Sequence, residues 1–190
     1  MSEQRTGKAT AELFEQVILP RLGAKDEDVL VGPRHGVDVG VVRVADGVAM
    51  ALTADPVFIV PAYGWERAAW FAVHILASDA ATSGLPLRWM AVDLNLPPEI
   101  TDEELSELWD GFHRACEGIG VAVVTGHTAR YDGCAWPMVG GAVCIGVYLT
   151  FITWPGMGSA ARSRPSIAIT TCIPPVPSSR SSAVVFRSTV

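Results

Sequence analysis

A carboxylate standing on the apolar stripe of a long helix is the feature that most constrains this chain. Residues 65–81 (WERAAWFAVHILASDAA) read as one amphipathic helix. Its stripe runs through Trp65, Ala68, Ala69, Ala72, Ile75 and Leu76 at three- and four-residue spacing. Asp79 continues that line, three residues after Leu76 and four after Ile75. An unpaired carboxylate on a core-facing surface is costly to desolvate, so it must be paired, protonated or metal-bound. The plainer reading is that the helix frays at Ser83-Gly84 and Asp79 looks outward. From the helix alone both readings stand.

Length and composition narrow the field. A chain of 190 residues, 49% hydrophobic, can bury a real core in one domain. No apolar run is long enough and free enough of charge or turn signals for a membrane span. The polar start, Met-Ser-Glu-Gln-Arg-Thr-Gly-Lys, does not read as a signal peptide. The four cysteines, Cys116, Cys134, Cys144 and Cys172, show no metal-ligand spacing. Reduced thiols and a cytoplasmic location are therefore expected. The net charge of −6 is unevenly spread. All 20 acidic residues precede residue 148, which argues against a nucleic-acid surface. Beyond it stand four arginines, Arg162, Arg164, Arg180 and Arg187, and no acid.

The pattern predicts a helix from Thr10 or Ala11 to Leu22, with Leu13, Phe14, Val17 and Ile18 on its apolar face and Gly23 as its stop. Two strands follow, 39–44 and 48–53, joined by an Ala45-Asp46-Gly47 turn. After the Asp79 helix comes a strand over 87–96. Thr101-Asp102-Glu103-Glu104 is a capping box that opens another helix, with Leu105, Leu108, Phe112, Ala115, Cys116 and Ile119 along one face. Short strands at 121–125 and 138–147 close the list of elements. The fold class is mixed α/β (α+β), a mixed or antiparallel sheet with two long helices on one side. The two common phosphate-loop motifs are absent.

Chemistry concentrates at a few element ends. Asp38 sits in Gly36-Val37-Asp38-Val39-Gly40, Asp55 follows a strand in Thr53-Ala54-Asp55-Pro56, and Asp79 ends a helix. Isolated carboxylates of this kind suit a hard cation such as Mg²⁺, which takes one or two carboxylates and completes its shell with waters and phosphate oxygens. Ordinary turn or cap duty competes for Asp38 and Asp55. A further element, Thr125-Gly126-His127-Thr128-Ala129-Arg130, offers a glycine for close approach and a hydroxyl and guanidinium for phosphate. There His127 reads equally as a hydrogen-bonded loop histidine. Cys116 and Cys144 read as packing residues.

Taken in order, four segments resemble the N-terminal domain of the aminoimidazole ribonucleotide (AIR) synthetase superfamily. They are Val29-Leu30-Val31-Gly32-Pro33 with Gly36-Val37-Asp38; Thr53-Ala54-Asp55-Pro56; Asp79 to Pro86; and Gly126-His127-Thr128. The resemblance covers roughly residues 10–147 and is nearest the HypE-like, AIR synthase-related branch. It implies a PurM-like half-barrel that closes by homodimerisation, and a cleft for ATP and Mg²⁺ serving phosphoryl transfer. By it, Asp38, Asp55 and Asp79 are metal ligands, and Gly36, Gly126, His127, Thr128 and Arg130 form the nucleotide side of the cleft.

This chain departs from the family pattern in three places. Val37 precedes Asp38 where two adjacent acids are usual, and His127 stands where the last motif usually has an aspartate. Losing a carboxylate weakens hard-metal binding. The resemblance also stops near Val147, so residues 1–9 read as an arm, 10–147 as the ATP/Mg²⁺ domain, and 148–190 as an atypical basic tail rich in serine and proline. That tail reads as a frameshifted or truncated frame, or as an unrelated extension that adds no functional surface. The expected function is an ATP/Mg²⁺-binding domain of a phosphoryl-transfer protein. The alternative is a non-catalytic dimerisation or nucleotide-sensing module, with a bare structural remnant third.

Overall fold

A computed structural model describes the chain over residues 7–149. The readings made for the tail lie outside the described residues. Six strands form one open sheet in the order β1-β2-β3-β6-β4-β5. They are β1 (Val29–Val31), β2 (Gly40–Ala45), β3 (Val48–Phe58), β4 (Leu87–Leu96), β5 (Ala122–Arg130) and β6 (Met138–Leu149). Every ladder is antiparallel except that between β4 and β5. Helix α3 (Asp102–Gly118) makes the crossover between those two parallel strands, which a hairpin cannot do.

Alternation along the strands defines the core. On β3 the residues Ala49, Ala51, Thr53 and Val57 are buried, and on β4 Met90, Val92, Leu94 and Leu96. With Val139, Ala142 and Cys144 of β6 they meet two helices, α2 (Trp65–Ala81) and α3 (Asp102–Gly118). The helices cross closely because of Gly111. A Cβ there would lie 2.9 Å from the Glu66 Cα and 3.0 Å from the Ala69 Cβ.

Three expectations are corrected in detail. The buried line of α2 is Ala68, Ala69, Ala72, Val73, Leu76 and Ala80, so the helix is rotated from the expected stripe and Ile75 is exposed. Strands β3 and β5 run well past the predicted ends, and they take Asp55 and the Gly126–Arg130 segment into the sheet. Pro56 is tolerated in β3 because the ladder to β6 is irregular just after it. The N-terminal helix is broken into an α turn (Ala11–Leu13, here α1), a π turn (Phe14–Ile18) and a 3-10 turn (Leu19–Arg21). None of its residues is buried, and Leu13, Val17 and Ile18 remain exposed.

The capping box forms as read. Thr101 Oγ1 accepts from the Glu104 amide at 3.1 Å, and the Glu104 carboxylate accepts from the Thr101 amide at 3.0 Å. Thr101→Ala is therefore expected to cost about 0.5–2 kcal/mol in urea denaturation. A midpoint unchanged from wild type would show that α3 is held by packing alone.

Candidate functional site

Asp55 and Asp79 come together from different parts of the chain. Asp55 lies on the helix side of β3, in a register row with Ala142, Val92 and Gly126. Asp79 occupies the last turn of α2, whose C-terminal turn packs over that part of the sheet. Both are partly buried, and the Asp79 carboxyl is close enough to act on that of Asp55. Burial, then the charge and hydrogen bond of Asp79, then the charge of Asp38 push the Asp55 carboxyl up to about 6, against a slight pull from Lys8. Asp79 is thus neither outward nor unpaired.

Asp38 stands further out. Its loop turns at Gly36, which has φ +78°, and its exposed carboxylate pairs with the exposed Lys8 Nζ at 3.4 Å. An ion pair this open to solvent is worth little. It therefore leaves Asp38 able to turn toward a cation. Among the described residues no three His, Cys, Asp or Glu side chains are grouped closely enough to hold one ion. The structure brings two of the three carboxylates together and holds the third within electrostatic range.

The second motif is divided by the pleat of β5. Gly126 and Thr128 are on the helix side, and His127 points to the opposite face. Three strand spacings separate β5 from β3, about 14 Å. Gly126 is explained by packing, since a Cβ there would fall 2.0 Å from the Val92 carbonyl oxygen of β4. Thr128 lines an open groove of about 410 Å³ with Asp102, Leu105, Ser106 and Trp109. His127 Nε2 is 2.8 Å from the Tyr131 hydroxyl, with the rings stacked at 6.0 Å. Arg130 is tied to the start of α3, its Nε donating to the Ile100 carbonyl oxygen at 3.0 Å and its Nη2 to the Asp102 carboxylate at 2.6 Å. Its guanidinium is thus already engaged within the chain.

Sequence reasoning passed over Thr53, Lys8 and Tyr131. Only Thr53 left a local signal, a hydroxyl two residues before Asp55 and so on the same strand face. The thiols of Cys116 and Cys144 are pushed up to about 11 by burial, as befits packing residues.

The chain matches the family model described as AIR synthase related protein, N-terminal domain, over residues 36–148. No curated protein matches it in sequence. Among solved structures, AaThiL complexed with AMPPCP and TMP is 21% identical with a TM-score of 0.55, over 75% of this chain and 45% of that one. Thermotoga maritima PurL complexed with ADP is 20% identical with a TM-score of 0.56, over 77% of this chain and 25% of that one. The same PurL complexed with AMPPCP is 21% identical at 0.55, over 77% and 26%. The chain therefore spans less than half the length of these relatives, and at such identities the likeness is one of fold.

Proposed function

This chain belongs to the AIR synthase related protein family, of which it carries the N-terminal domain, and on that premise we propose that it binds ATP with Mg²⁺ as the nucleotide-holding part of a HypE-like phosphoryl-transfer protein. The observation that carries this reading is the Asp55–Asp79 pair. Two carboxylates that repel each other in a half-buried site are relieved by a divalent cation more than by any neutral ligand. Oxygen donors in this number fit Mg²⁺, which takes one or two carboxylates and leaves its remaining positions to water and phosphate. Asp55 and Asp79 would hold the ion, and Asp38, released from Lys8, would complete the acidic wall. When bound, the cation would neutralise phosphate charge. Nucleotide complexes of the similar ThiL and PurL structures support the choice of ligand.

Titration calorimetry with ATP in the presence and absence of Mg²⁺ tests the reading. Mg²⁺-dependent binding is expected, and no heat under either condition would refute it. A phosphate-release assay then separates an enzyme from a nucleotide-sensing module.

We also propose a homodimer. Strand β5 is an edge of the sheet, nine residues long, with no lysine or proline to guard it, and Val124 is 54% exposed. Such an edge invites pairing with a second copy. Sedimentation should show a concentration-dependent dimer, and a monomer at high concentration would overturn the idea.

A further inference from the structure

Thr53 lies on the helix side of β3 and is 4% exposed, yet no protein atom makes a hydrogen bond to its Oγ1. Its partner across the ladder, Cys144, is near enough to feel the hydroxyl. That thiol, however, points its proton at the Leu76 carbonyl oxygen, 3.7 Å away. A bare buried hydroxyl is expensive, and folded proteins seldom leave one.

Beside it is a cavity of about 10 Å³, whose lining includes Thr53, Ala80, Ser83, Leu85, Cys144 and Gly146. A space of this size takes one water molecule and nothing larger, provided that two to four polar atoms face it. Ser83 supplies a second. Its Oγ donates to the Ala80 carbonyl oxygen at 2.7 Å and accepts from the Leu85 amide at 3.1 Å, which leaves one lone pair unused. The Cys144 sulfur offers a third, weaker acceptor.

We propose that this cavity is the seat of one structural water, which accepts from the Thr53 hydroxyl and donates to Ser83 Oγ and toward the Cys144 sulfur. The water fastens β3 to the turn that leaves α2. Those are the two elements that carry Asp55 and Asp79. The acidic pair would thus be held from below by a bridge that neither carboxylate enters.

Two measurements on the full chain test this. A high-resolution crystal structure should show density for one water within hydrogen-bonding distance of both Thr53 Oγ1 and Ser83 Oγ. Density for a direct Thr53–Cys144 contact with nothing between Thr53 and Ser83 overturns the proposal. The second reading is the sign of the stability change in Thr53→Val, which keeps shape and removes the hydroxyl. A bridged hydroxyl predicts a Tm about 2–4 °C lower than wild type. A hydroxyl that is truly bare predicts a higher Tm, and that result also overturns it. Should Thr53→Val fail to fold, Ser83→Ala and the wild-type density decide.

Discussion

Gly140→Ala and Gly126→Ala are each expected to destabilise the fold by more than about 3 kcal/mol, or to prevent folding. Both glycines flank β4, one on each side. A Cβ at Gly140 would lie 1.8 Å from the Asp93 carbonyl oxygen, and one at Gly126 would lie 2.0 Å from that of Val92. The obstacle in each case is strand backbone, which cannot swing aside as a side-chain tip can. Gly140 carries the further burden of φ +136°, which L-residues rarely adopt. Gly118→Ala is the control, because nothing lies within 4 Å of its Cβ position at the end of α3. It should be neutral or stabilising by up to about 1 kcal/mol. Urea midpoints compare the three. If Gly126→Ala folds with wild-type stability but loses nucleotide affinity, the glycine serves a ligand and not the β4–β5 ladder.

These two glycines also show where sequence reading reaches its limit. A Thr-Gly-His-Thr segment looks like a loop because glycine and short polar residues are what loops use. Here the glycine is demanded by a neighbouring strand that is remote in sequence, and nothing local encodes that. Helix α3 was legible for the opposite reason. Its capping box and strong apolar periodicity are local, and Leu108, Phe112, Ala115 and Cys116 are buried as the spacing requires. Helix α2 was legible in extent but not in phase. Its core line is mostly alanine, and small residues say little about which face packs, whereas the bulky Trp70, Phe71 and Ile75 are exposed. The fold class follows from element order. The pairing of Asp55 with Asp79 does not, because it depends on how α2 lies on the sheet. What the sequence could supply was the discomfort of Asp79 on a helix face, and the structure gives that discomfort a partner.

Asp79→Asn is expected to raise the stability of the metal-free protein near pH 7–8 and to weaken Mg²⁺-ATP binding at least about tenfold, the loss that follows from removing one of two carboxylate ligands. The sign of the first effect follows from protonation. Asp55 titrates in the fold at about 6, above its ordinary 3.8, so between those values the folded chain holds more protons than the unfolded one. Stability from this group is then fully present below about pH 4 and is lost as pH rises through about 6. Replacing Asp79 takes away one charge and lets Asp55 ionise more easily, although burial, the larger cause, remains. The gain should therefore appear above pH 6 and vanish near pH 4, where Asp55 is protonated and no longer repels its neighbour. For a pair only partly buried, and so screened by solvent, the scale is roughly 1 kcal/mol, or about 2–4 °C in Tm. Adding Mg²⁺ should reverse the order, because the wild-type pair gains a cation that the variant holds poorly. Thermal melts of both proteins at pH 4 and 8, with and without Mg²⁺, make four comparisons. An equal loss of stability at both pH values would mean that Asp79 holds the α2 terminus in place, and that the pair is structural.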